Sequence, residues 1–259
     1  MSQSIAFDRA AEFYDATRGF PPGIETQAAA AIIGAGSLGA GSHLLEIGIG
    51  TGRIALPLAQ HVKAIEGIDL SRPMLQRLRA KHDGEPVRVV QGDVTYLPYL
   101  SGYFDAVVAV HIFHLVADYA RALDEAARVL RTGGVLVHAF GASERRVSLD
   151  TVWVEVTGRR RGADAGMPWE KRKTVAEDHG WTLVGERIVD YTERRSPRQY
   201  LQQLRDRCWS HTWQMSDHEL ERAVEAMEAR ITAQYDDPDA EEVLPSRFIA
   251  RAYRPPALR

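Results

Sequence analysis

A chain of 259 residues, 45% hydrophobic and 26% charged, carries enough apolar material for one large α/β domain and needs no second one. Its 32 Lys and Arg against 35 Asp and Glu leave a net charge of -3, which offers no overall footprint for a nucleic acid or an anionic membrane. The single cysteine, Cys208, excludes an internal disulfide and a multi-cysteine zinc site, and Asp8 and Glu12 stand where a secretory leader would be apolar, so a cytoplasmic chain is expected.

In chain order, a helix is predicted near Ile24–Ile33, followed by a glycine-rich linker from Ser37 to Gly41. The run Ala28 to Ala35 is too short to span a bilayer, so no transmembrane segment is expected. Apolar runs then predict strands at Leu44–Ile47, Val62–Ile68, Val87–Val90, Phe104–Val110 and Val135–Phe140. Helical patterns alternate with them near Arg53–Gln60, Arg72–Lys81 and Asp118–Leu130. Strands rich in Val and Ile, alternating with helices, argue a doubly wound parallel sheet. Pro57 should leave the Arg53–Gln60 helix short or kinked, and Gly133-Gly134 reads as the C-cap of the helix ending at Leu130. Beyond Gly141 a charged stretch, Glu144 to Arg161, leads to a helical Pro168–His179, a strand at Trp181–Tyr191, a helical block from Pro197 to Gln234, and a last strand at Arg247–Tyr253.

The stretch Leu44 to Ala59 is the most informative. It delivers Glu46, Gly48, Gly50 and Gly52 at the end of a strand and then turns helical. Closely spaced glycines let backbone approach a ligand where a Cβ would collide. The dinucleotide fingerprint G-x-G-x-x-G needs its third glycine where Arg53 stands, so a nicotinamide cofactor is disfavoured. Open α/β sheets bind ligands beyond the carboxyl ends of their strands. Asp69 closes the second strand nineteen residues past Gly50, near the interval at which an acidic group reaches a ribose hydroxyl; Ser71 is the better cap for the following helix.

The pattern Glu46-x-Gly48-x-Gly50-x-Gly52, with Asp69 and Asp93 following in order, resembles the class I S-adenosylmethionine-dependent methyltransferases, especially the subgroup around the ubiquinone and menaquinone methyltransferases. The likeness runs from about Phe7 to Phe140. It implies a Rossmann-like sheet of seven strands, mostly parallel, with an antiparallel edge hairpin and helical lid insertions. Residues 1–42 would form a helical cap over the cofactor, 43–142 the cofactor-binding core, and 143–259 the remaining strands with lid segments near 144–179 and 197–234.

The resemblance also implies a site. Glu46 organises the loop and the methionine end of S-adenosylmethionine, Asp69 holds the ribose, and Asp93 reads the adenine amino group beside the amide of Val94. Tyr14 and Arg18, from Tyr14-Asp15-x-x-Arg18, close over the methionine moiety, where an arginine fork suits a carboxylate. Gly48, Ile49, Gly50, Gly52, Arg53, Leu70, Met74, Gly92 and His111 complete the cofactor-binding set.

After the fourth strand comes Val110-His111-Ile112-Phe113-His114, where the reactive methyl would face its acceptor. Histidine can take a proton near neutral pH, so His114 and then His111 are the candidate bases, although alignment alone can serve methyl transfer. Two histidines without an adjoining carboxylate or cysteine are an incomplete ligand set, and no metal is expected. Trp153, Trp169, Trp209, Trp213, Phe20 and Tyr200 could supply lid core or an apolar wall for an acceptor, and Arg159-Arg160-Arg161 reads as a solvated loop. The expected activity is transfer of a methyl group to an O, N or C nucleophile on a small molecule. A non-catalytic sensor of the same cofactor, or an enzyme of different sulfonium chemistry, is the alternative. No nucleic-acid or membrane partner is expected, and the oligomeric state is left open.

Overall fold

The computed structural model describes residues 4–18, 20–143, 147–158, 171 and 173–256. Seven strands form one sheet: β1 (His43–Ile47), β2 (Ala64–Asp69), β3 (Val87–Gln91), β4 (Phe104–Val110), β5 (Leu130–Ser143), β6 (Thr182–Arg195) and β7 (Glu242–Arg254). Their order is β3-β2-β1-β4-β5-β7-β6. The first five are parallel, whereas β7 runs antiparallel to both β5 and β6. The strand order reverses between β1 and β4, which makes the carboxyl ends of those neighbours the natural ligand crevice.

Each central strand is buried on both faces, so it reads as an unbroken apolar run rather than an alternation. Leu44, Ile65, Ala106, Val108 and Val137 point into one core, shared with α2 (Ile24–Gly36), α3 (Ala55–Ala59) and α4 (Arg72–Lys81). Leu45, Ile47, Ile68, Val107 and Leu136 point into the other, covered by α5 (Tyr119–Val129). Helix α2 approaches the sheet closely because most of its buried face is alanine, with Ala28, Ala29, Ala31 and Ala35 beside Ile32. A Cβ on Gly185 of β6 would lie 2.2 Å from the carbonyl oxygen of Ala35, so only glycine lets these two elements meet. A third core belongs to α6 (Val147–Thr157), α7 (Pro197–Arg205) and α8 (Asp217–Gln234), with Trp153, Tyr200, Leu204 and Met227 at its centre.

Two local expectations hold: helix α3 is five residues long around Pro57, and Ser71 caps α4 by accepting from the Met74 amide at 3.3 Å. Asp118 caps α5 by accepting from the Arg121 amide. Others need correction. Gly133-Gly134 does not end a helix: α5 stops at Val129, and the glycines lie inside β5, where pairing with β4 shifts between Phe104 and Ala106. Gly133 takes a positive φ of 81°, which serves that irregularity. The second strand begins at Ala64 rather than Val62, and β5, β6 and β7 each outrun their apolar cores because they pair with one another over long registers. The block from Pro197 to Gln234 is two helices, each opened by a capping box, Ser196 with Gln199 and Ser216 with Glu219. Residues 144–146 and 159–170 of the charged stretch and the helical Pro168–His179, including Arg159, Arg160, Arg161 and Trp169, lie outside the described residues; Glu177–His179 forms a single 3-10 turn.

Candidate active site

The loop after β1 takes its shape from three glycines in the left-handed region: Gly48, Gly50 and Gly52 have φ of 70°, 56° and 76°. Two of them also answer a steric demand. A Cβ on Gly48 would sit 2.4 Å from Ile112, and one on Gly52 would sit 2.9 Å from Leu78 of α4. Beside Gly50 the nearest atom to such a Cβ is 4.0 Å away, so a side chain there would fill open space that the bare backbone faces. The loop hangs on β2 through Gly48 N–H and Ile49 N–H, which donate to the Ile68 carbonyl at 2.8 and 3.2 Å. Arg53 does not pack a helix onto a strand; its guanidinium lies 4.4 Å from the centre of the Phe20 ring and 5.9 Å from that of Tyr14.

Two carboxyl groups flank this loop. Glu46 is 3% exposed, and its Oε2 has no hydrogen-bond partner among the described residues. Burial pushes its pKa up to about 8, against the attraction of Arg53 and with the help of Asp69. A buried carboxyl group left in this state is poised for a cation or a strong donor. Asp69 is more engaged: its Oδ2 accepts from Gly50 N–H at 2.9 Å and its Oδ1 from Ser71 N–H at 2.8 Å. Burial raises its pKa too, opposed by those two amide bonds. Thus Asp69 shapes the loop and the start of α4 together, while Ser71 does the capping.

Asp93 lies two residues past β3 and folds its own turn, Oδ1 accepting from the Thr95 amide at 2.9 Å and the Thr95 hydroxyl at 2.7 Å. Gly92 donates to the Asp69 carbonyl at 3.0 Å, which ties the ends of β2 and β3 together. Leu70 accepts from the Gln91 side chain, while Val94 and Met74 are buried. Tyr14 and Arg18 belong to α1 (Tyr14–Arg18). The Tyr14 ring packs edge-on against Phe7. The side chain of Arg18 lies outside the described residues.

His111 follows β4 with φ of 52°, a strained conformation for a non-glycine residue, and its amide donates to the Ala139 carbonyl. Its ring borders Gly141 of β5, where a Cβ would lie 3.3 Å from Cε1. His114 sits in a single 3-10 turn, Phe113–Leu115. Neither histidine joins a metal-ligating group: among the described residues no cluster of three or more His, Cys, Asp or Glu could hold an ion.

Sequence reasoning missed two features. His138, hidden in the apolar run of β5, is buried beneath the 111–114 loop with its ring 5.1 Å from those of Phe113 and Phe140. Burial, aided by nearby Arg251, pushes its pKa down to about 3, so it is a neutral support for Phe113. The second is Asp15, whose carboxylate accepts from the Thr51 hydroxyl at 2.6 Å and meets Lys81 Nζ at 2.8 Å. The motif Tyr14-Asp15-x-x-Arg18 contained it, but its partners lie 36 and 66 residues away. The lid aromatics divide: Trp153 and Tyr200 are fully buried core, Trp209 packs against that core, Trp213 stacks on Phe7, and Phe20 stacks on Phe248 and Tyr191.

Residues 45–138 match a family model described as a methyltransferase domain. The chain is 41% identical over 98 residues to demethylmenaquinone methyltransferase of Thermus thermophilus, covering 36% of this chain and 44% of that protein. It is 30% identical over 174 residues to an uncharacterised methyltransferase of Mycobacterium bovis, covering 67% of each. The chain spans less than half the length of two of the curated relatives it matches, at 42% and 41% identity. Phosphoethanolamine N-methyltransferase 2 of Haemonchus contortus, solved with phosphomonomethylethanolamine and S-adenosylhomocysteine, is similar in fold, with a TM-score of 0.54 and 21% identity over 96% of this chain and 58% of that one.

Proposed function

Because the chain belongs to the class I S-adenosylmethionine-dependent methyltransferases of the quinone-methyltransferase-like type, we propose that it transfers a methyl group from S-adenosylmethionine to a small-molecule O, N or C nucleophile. The observation that carries this reading is Glu46: a buried carboxyl group with an oxygen left unpaired, beside Gly50, which keeps open a space that a side chain would fill. It fits the cationic methionine end of that donor. It has no purpose beside a pyrophosphate, which a carboxylate would repel.

When bound, the donor supplies an activated methyl group whose transfer needs an aligned nucleophile and a dry site. Glu46 binds its ammonium group, and Tyr14 and Arg18 take its carboxylate. Asp69 accepts from the ribose hydroxyls, since a carboxylate offers about four lone-pair positions and two are committed to amides. Asp93 accepts from the adenine amino group with its second oxygen, and Val94, Gly92, Leu70 and Met74 border the base. His114, or His111, takes the proton of an O or N acceptor, and His138 holds Phe113 beneath them. In this reading the N-terminal segment caps the donor while α6, α7 and α8 cover the acceptor. The names of relatives point to acceptors of different kinds: demethylmenaquinone for one, and malonyl-[acyl-carrier protein] for another.

Titration calorimetry with S-adenosylmethionine, S-adenosylhomocysteine and NAD tests the donor. We expect the first two to bind and NAD to give no heat; binding of NAD alone overturns the proposal. A panel of quinols, amines and acyl carboxylates, read by release of S-adenosylhomocysteine, then identifies the acceptor. Donor binding without turnover across that panel would favour a sensor.

A further inference from the structure

Residues 4–18 join the two loops that border the crevice. At one end, Ile5 N–H donates to the Leu115 carbonyl at 2.9 Å and Ser4 Oγ accepts from Ala117 N–H at 3.2 Å, both beyond β4. At the other end, Asp15 takes the hydroxyl of Thr51, which stands between Gly50 and Gly52 beyond β1 and is 1% exposed. Phe20 stacks under Arg53, the next residue but one. Between these anchors, the Phe7 ring packs 4.8 Å from that of Trp213, whose indole N–H donates to the Arg207 carbonyl at 2.6 Å. Since β1 and β4 are neighbours, the segment crosses the point where the strand order reverses.

We propose that Asp15 is a positioning residue that latches residues 4–18 as a strap across the donor crevice, so that donor and product pass only when Asp15 releases Thr51. The two halves of the latch differ in weight. Lys81 and Asp15 are 36% and 45% exposed, so their ion pair is well screened and contributes little. The Thr51 hydroxyl is buried, and without Asp15 it has no partner among the described residues. Opening the strap also turns Phe7 away from Trp213, which couples product exit to the lid.

The inference rests on the donor reading above, and the test separates the two. Stopped-flow release of S-adenosylhomocysteine and the KM for S-adenosylmethionine are measured for Asp15→Ala, Thr51→Val, the double variant, Asp15→Asn and Lys81→Met. Asp15→Ala and Thr51→Val should each raise the release rate and KM by roughly fivefold to tenfold, the net contribution of one ordinary hydrogen bond, with kcat undiminished. The double variant should do no more than either single one, because both remove the same bond. Asp15→Asn keeps an acceptor for Thr51 and should stay within about twofold of the parent chain, as should Lys81→Met. Unchanged release and KM in Asp15→Ala, a fall in kcat alone, or additive effects in the double variant would overturn the strap. Failure of the unaltered protein to bind the donor would instead overturn the donor reading.

Discussion

The parallel half of the sheet and the helical lid are built by different rules. Strands β1, β2, β4 and β5 send side chains into both cores, and the loops at their ends are held by glycines and backbone hydrogen bonds. The lid of α6, α7 and α8 owns a separate core around Trp153 and Tyr200 and packs chiefly on itself. On the proposed function, recognition of the donor is kept in the sheet and recognition of the acceptor is left to an attachment with a core of its own.

The largest effect that would break this contrast comes from Trp153→Ala. The side chain is fully buried, and its loss should cost about 3–5 kcal/mol within the lid. If the lid is energetically separate, urea unfolding monitored by tryptophan fluorescence will split into two transitions, with donor affinity within about twofold of normal. A single transition with donor affinity lost would show that the two regions are one unit. Smaller is Asp69→Ala, which strips the Gly50 and Ser71 amides of their acceptor and should weaken donor binding by about 1–3 kcal/mol in calorimetry while leaving the lid transition in place.

The smallest effect is a pH dependence confined to the sheet half. Glu46 has a folded pKa of about 8 against an ordinary 4.5, so over that interval the folded state holds a proton that the unfolded chain has lost, and stability falls as pH rises. His138 has the opposite sign: held down to about 3 from an ordinary 6.5, it makes stability rise with pH, but only below about 6.5. Between pH 6.5 and 8 the Glu46 effect stands apart from that of His138, with a slope of at most about 1.4 kcal/mol per pH unit. Denaturation at these two pH values should show the decline in the parent chain and its loss in Glu46→Gln. Saturating S-adenosylmethionine should remove it as well, because a bound cation favours the ionised carboxyl group.

Much of the sheet half was legible because its signals are local. Strands buried on both faces announce themselves as Val and Ile runs, Ser71 caps where a cap is needed, and Pro57 limits α3. The glycine spacing, the position of Asp69 and the seven-stranded arrangement followed from the same stretch and its resemblance. What escaped was long-range. Gly133-Gly134 looks like a helix terminus to any local rule, yet Leu130 already pairs with Phe104. The ends of β6 and β7 carry charged and polar residues whose strand state comes from their partners alone, such as Arg195 opposite Glu242. Asp15 gave no sign of its bond to Thr51, and His138 differs from its apolar neighbours only in a ring nitrogen that finds no donor or acceptor.

The placement of β7 between β5 and β6 has a consequence for synthesis. Strand β6 leaves the ribosome with its only sheet neighbour still unmade, since β7 follows it by about fifty residues of helical lid. Helix α2, one of the earliest elements, waits as long, because it rests on β6 and β7 as well as on β5. The parallel strands can therefore assemble while the chain is still growing, and the arrival of its final strand closes the edge of the sheet and seats the helix made near its start in a single step.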